Sequence, residues 1–176
     1  MNPARPYGAR PAGFPVELDD RRDKLVQPVT GLPGMEVMEM SPGEAEDPAQ
    51  VIPESLADLL ERPLYAHMAT VRPDGTPQVN PTWYRFDGEY VWLTATTYRQ
   101  KYRNWRHQPA TALSIADPDD PSRYLEVRGA VERIIPDPEG AEFVRLAERY
   151  GEPQGPPADK AYRIAVAIRP GHTTTQ

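Results

Sequence analysis

Proline sets the tightest limit on what this chain can build. There are 22 in 176 residues, roughly 12% against a typical ~5%. Each one removes a backbone donor and fixes φ, so a long helix or a central strand cannot run through it undisturbed. Eight lie in residues 1–50, at 3, 6, 11, 15, 28, 33, 42 and 48, where no sustained period of 2 or 3.6 is present. Five basic residues (Arg5, Arg10, Arg21, Arg22, Lys24) and nine acidic ones give this segment −4 of the total charge of −6. Low hydrophobicity with dense proline reads as an irregular N-terminal arm. Phe14, Val16, Leu25, Val26, Met35, Val37, Met38 and Met40 dot it with apolar side chains. A solvated tail and a strap laid across the body or a partner subunit are both open.

From residue 51 the other prolines punctuate turns and element starts. Pro53 opens a short helix to Arg62, with Leu56, Leu59 and Leu60 on one face. Strands are expected at Leu64–Val71, Pro77–Phe86, Tyr90–Leu93, Thr111–Ala116, Tyr124–Ile135 and Tyr162–Ile168, with turns at Pro73-Asp74-Gly75-Thr76 and Asp87-Gly88. Helices are expected over 98–107 and from Pro138 to Gly151. Six short strands and a few helices point to a mainly β chain forming a small barrel rather than a βαβ sheet. The expected division is an arm over 1–50, a barrel domain over 51–170 and a tail over 171–176.

Zero cysteines exclude disulfides, thiolate metal sites and a Cys nucleophile. A net charge of −6 argues against general nucleic-acid binding. No apolar stretch is long enough for a membrane span and no signal pattern opens the chain, so a cytoplasmic protein is expected. His67, His107 and His172 are isolated, without metal-ligand spacing. No Walker A, Gly-x-Gly-x-x-Gly or Gly-x-Ser-x-Gly pattern is present.

One stretch departs from this inventory. Residues 94–108 hold Arg99, Lys101, Arg103 and Arg106 with no acid among them. Thr97 and Gln100 have the spacing of a capping box, which would start a helix at Tyr98. Its first turn would combine free N–H groups, the positive dipole end, hydroxyls and two cations, an arrangement suited to phosphate. Tyr98, Tyr102 and Trp105 would turn inward, with Arg99, Arg103 and Arg106 along another face. A basic face that is merely solvated is the competing reading.

Four motifs in order, His67-Met68-Ala69-Thr70-Val71-Arg72-Pro73-Asp74-Gly75-Thr76-Pro77-Gln78-Val79, Val91-Trp92-Leu93-Thr94-Ala95, Arg99-Gln100-Lys101-Tyr102-Arg103-Asn104 and Arg123-Tyr124-Leu125-Glu126-Val127-Arg128-Gly129, resemble the pyridoxamine-5′-phosphate-oxidase-like split-barrel family. The resemblance runs over about 55–168 and is closest to the actinobacterial branch that uses the deazaflavin coenzyme F420 rather than FMN. It implies a six-stranded split β-barrel and a homodimer, with the cofactor in a groove at the subunit interface. It implies that Arg99 and Lys101 hold the cofactor phosphate, that Thr94, Ala95 and Thr96 supply hydroxyl and backbone groups, and that Gln100 and Asn104 belong to the same helix site. Gln78, Val79, Asn80 and Pro81 would line the ring system. Pro81 cannot donate to a ladder, so that strand should be free on one side or bulged there.

The implied activity is an F420-dependent oxidoreductase that moves hydride from the reduced deazaflavin to an unsaturated small molecule. An FMN-dependent oxidase or reductase and a carrier without turnover are the alternatives. Such a reaction needs positioning more than activation. No catalytic residue follows, and Tyr84, Arg85 and Arg128 are the candidates for a proton donor.

Overall fold

Turn chemistry sets the strand order. Asp74 Oδ1 accepts from the Thr76 N–H at 2.9 Å and from its hydroxyl at 2.6 Å, while Gly75 takes φ 85°. This closes a hairpin between β2 (Ala66–Val71) and β3 (Pro77–Thr82). Asp87 Oδ1 accepts from the N–H groups of Glu89 and Tyr90 at 3.0 and 2.8 Å, and Gly88 takes φ 98°. That turn joins β4 (Arg85–Phe86) to β5 (Val91–Thr96). Both are positions where only a residue without Cβ is unstrained.

The structure, a computed structural model, describes residues 38–39 and 51–175. Expectations for the rest of the N-terminal arm lie outside the described residues. The two residues of the arm that are described, Met38–Glu39, form β1 and pair with Ile134 and Arg133. The remaining elements are a 3-10 turn (Glu54–Leu56), α1 (Ala57–Glu61), α2 (Gln100–His107), β6 (Ala110–Ala116), β7 (Tyr124–Pro136), α3 (Ala141–Arg149), a 3-10 turn (Lys160–Tyr162) and β8 (Arg163–Thr175). All strand pairs are antiparallel, in the order β3-β2-β6-β7-β8-β5-β4, with β1 on β7. Six strands are six residues or longer, and these are the six expected from the sequence.

The sheet rolls. Three strands separate β2 from β5, yet α2, which leaves β5, packs on β2, and α1 touches both β4 and β6. The helices bridge the openings of a split barrel. Leu59, Met68, Leu93, Trp105, Leu113, Ile115, Leu125, Ile164 and Ile168 are completely or almost completely buried in one core between them. No helix among the described residues is long and apolar enough to cross a membrane.

Four local expectations are corrected. The strand expected over Pro77–Phe86 ends at Thr82, because Tyr84 turns inward: its N–H donates to Tyr150 Oη and its carbonyl accepts from Arg149 Nε. The tail expected over 171–176 is strand through Thr175, paired with β7 down to Leu125. α2 begins at Gln100, not Tyr98, and no capping box forms. Thr97 still belongs to the sheet end, its N–H donating to Tyr162 O at 3.0 Å. α3 begins at Ala141, where the Asp137 carboxylate accepts from the first two helical N–H groups at 2.8 and 3.0 Å.

Candidate functional site

The last residues of β5 run straight into the first turn of α2, and both face the edge strand β3. Between them lies a cavity of about 400 Å³. Nine residues singled out in the sequence line it: Gln78, Asn80 and Pro81 from β3, Thr94, Ala95 and Thr96 from β5, and Arg99, Gln100 and Lys101 from the start of α2. Val79 does not. It is 59% exposed on the same strand. β3 pairs with β2 in unbroken register from Pro77 to Thr82, so no bulge occurs at Asn80-Pro81. Its other edge has no neighbour among the described residues.

Asn104 does not line the cavity either. It is fully buried one turn along α2 and holds the cavity wall together. Its Nδ2 donates to Thr70 Oγ1 at 2.8 Å and to Gln78 Oε1 at 3.2 Å. Gln100 Nε2 donates to Asn104 Oδ1 at 2.9 Å, and Gln78 Nε2 donates to Asn80 Oδ1 at 2.9 Å. Four amides thus run as one chain from the first turn of α2 to β3. The two inner amides, Asn104 and Gln78, donate from one end and accept at the other, so the chain fixes the orientation of Gln78 and holds Asn80 by its oxygen.

The cavity wall carries three cations, Arg99, Lys101 and Arg163, and one carboxylate, Asp159. Lys101 makes no hydrogen bond or ion pair among the described residues; its Nζ sits 5.9 Å from the centre of the Trp105 ring. Burial, and then the charges of Arg99 and Arg163, push its pKa down from 10.5 to about 8. The first N–H groups of α2 have no partner inside the helix. The hydroxyl of Thr96, which lines the cavity, is buried without a partner among the described residues. Together these present cations and donors to one space, with nothing negative on Lys101.

Two lining residues are not found by local sequence reasoning. Asp159, in the loop before β8, and Arg163, the first residue of β8, close the far side. Arg163 Nε and Nη2 donate to the Asp159 carboxylate at 2.8 and 3.2 Å, and Tyr98 Oη donates to the same carboxylate at 2.8 Å. The spacing of four between an acid and a base is the sole local signal, and it says nothing about a cavity.

The three candidate proton donors lie elsewhere. Tyr84 is fully buried with its hydroxyl donating to Leu59 O, and burial raises its pKa. Arg85 is held by Glu142 at 2.7 and 3.1 Å. Arg128 is exposed and donates to Thr174 Oγ1 at 3.3 Å. His67, His107 and His172 are exposed on β2, α2 and β8, and no cluster able to hold a metal ion occurs among the described residues.

The family model described as pyridoxamine 5′-phosphate oxidase matches residues 52–172. Among solved structures, the chain is similar to an F420 reductase, with 57% identity, a TM-score of 0.69, and coverage of 71% of this chain and 100% of that one. It is similar to a conserved hypothetical protein from Mycobacterium tuberculosis, with 30% identity, a TM-score of 0.57, and coverage of 70% of this chain and 83% of that one. The general stress protein 26 from Bacillus anthracis shares the fold at 16% identity, with a TM-score of 0.52 and coverage of 68% of this chain and 89% of that one. Among curated proteins, none matches.

Proposed function

We propose that this chain, which belongs to the pyridoxamine 5′-phosphate oxidase family, binds coenzyme F420 in the cavity between β3, β5 and α2 and uses it to reduce an unsaturated small molecule. The observation that carries the reading is Lys101: a half-buried ammonium group on the cavity wall, with Arg99 and Arg163 as its charged neighbours and no acid paired to it among the described residues. A cation left in that state is stabilised by an anion arriving from outside. The donor set suits a phosphate-bearing flavin-type group. Lys101, Arg99 and the N–H groups opening α2 would hold the phosphate, and the orphaned Thr96 hydroxyl gains a partner. Gln78 and Asn80, oriented by the amide chain through Asn104, would face the ring where the free edge of β3 admits it. The deazaflavin rather than FMN is supported by the 57% identity to a protein named as an F420 reductase.

When bound, the reduced deazaflavin supplies hydride from ring carbon 5 to an electron-poor acceptor. The residues of the cavity bind and orient, and none is assigned as catalytic. A homodimer belongs to the same proposal, because β3 borders the cavity with an edge unpaired among the described residues and carries the exposed Val79, an apolar strand for a second copy to cover.

Fluorescence quenching with both cofactors tests the reading. The deazaflavin should bind more tightly than FMN, and Lys101→Ala should weaken binding about ten-fold by removing a charge-assisted contact. Tighter binding of FMN overturns the choice of cofactor, and unchanged affinity in the variant overturns the seat. Oxidation of the bound reduced cofactor by an unsaturated acceptor separates an enzyme from a carrier.

A further inference from the structure

A carboxylate in the wall of an anion-binding cavity works against every anion that enters, so Asp159 needs a reason to be there. Its surroundings supply one. Arg163 spends Nε and Nη2 on Asp159, and its Nη1 lies 3.4 Å from Thr94 Oγ1, so little of the guanidinium is left to offer a ligand. Tyr98 adds a third donor to the same carboxylate, and the Tyr98 ring lies under Arg99 at 5.7 Å. The cavity therefore holds three cations but presents the equivalent of two.

We propose that Asp159 is a charge-selecting residue: by occupying Arg163 and adding a negative charge to the wall, it shifts selectivity away from a doubly charged phosphomonoester and toward a singly charged phosphodiester. Repulsion scales with the charge of the ligand, so a carboxylate costs a dianion twice what it costs a monoanion. Specificity commonly rests on such a repulsive element as well as on attraction. This inference deepens the proposed function and rests on its reading of the cavity as a phosphate seat.

The test uses two probes that share the deazaflavin nucleoside core, one with a 5′-phosphate monoester and one with its methyl diester. Near pH 7.5 the monoester is largely dianionic, so the probes differ by about one charge. In the wild-type protein the ratio of the two affinities is the reference against which the variants are read. Asp159→Asn keeps the shape, and should raise affinity for the monoester about ten-fold relative to the diester. Asp159→Asn/Arg163→Gln removes one charge of each sign and restores the wild-type net charge, so it should return the ratio to near its wild-type value. A ratio unmoved by Asp159→Asn overturns the charge selection and leaves the seat standing. Failure of both probes to bind the wild-type protein overturns the seat and the selection together. Where Asp159→Asn folds poorly, Asp159→Ser removes the same charge in a smaller side chain, and a ratio unmoved there overturns the selection equally.

Discussion

The proposed seat should release its ligand as pH rises through the Lys101 transition. In the free protein, burial followed by the charges of Arg99 and Arg163 brings the Lys101 pKa from 10.5 to about 8. That displacement costs the charged form ~3 kcal/mol, reduced by solvent screening because the side chain is half-buried. A phosphate beside the ammonium group restores the charged form, so binding above pH 8 must first return a proton. Apparent affinity should be nearly unaffected at pH 7, about two-fold weaker at pH 8 and about ten-fold weaker at pH 9. Calorimetric titration in buffers of different ionisation enthalpy should read uptake of about half a proton at pH 8 and nearly one at pH 9. The stability of the free protein has the opposite trend: the folded pKa lies below the unfolded one, so between about 8 and 10.5 the unfolded chain binds more protons and stability rises with pH. Lys101→Met should flatten both profiles. Affinity that is level from pH 7 to 9, or the same slope in Lys101→Met, refutes the reasoning.

Other residues carry separate expectations. Asn104→Leu strands the amides of Gln78 and Gln100 and the Thr70 hydroxyl, and should weaken ligand about ten-fold while leaving the pH slope of Lys101 in place; a lost slope would show that the charged seat itself had moved. Arg149 donates to the carbonyls of Leu60, Arg62 and Tyr84 at 2.7, 2.9 and 3.1 Å, satisfying the chain end of α1. Arg149→Ala should therefore cost about 3 kcal/mol in urea unfolding, and a cost below ~1 would mean that water replaces it. The Glu132 pKa is lowered, chiefly by its hydrogen bond from Arg169, so the stability it contributes is complete above about 4.5 and drains as pH falls. Acid titration of Glu132→Gln should lose stability less steeply than the wild type. A Cβ at Gly129 would run into the Arg169 carbonyl, so Gly129→Ala should lower the melting temperature sharply, whereas Gly155→Ala, which meets nothing, should not.

What the sequence makes legible is what forms between near neighbours. The Asp74-Gly75 and Asp87-Gly88 turns need no distant partner, and alternation along short runs places the six main strands. The basic stretch at 94–108 marks the cavity because the cations and the first helical turn lie within a few residues of one another. Long-range contacts decide the rest. Thr97 has the spacing of a helix cap, but its N–H is taken by Tyr162, so the helix starts later. Asp159 reaches the cavity through Tyr98, 61 residues away, and Arg163 lies against Thr94, 69 residues away. Pro170-Gly171 reads as the end of a strand, yet Pro170 pairs with Gly129 and His172 with Arg128, with Gly171 passed over. A proline without a donor is tolerated there because the ladder shifts register at that point, and a side chain at Gly129 would block the approach that makes the shift possible. The same economy applies at Pro81, on an edge where a missing donor costs no hydrogen bond with a neighbour. Proline therefore constrains this fold less by forbidding strands than by fixing where a strand must be an edge or a bulge, and one of those edges borders the cavity.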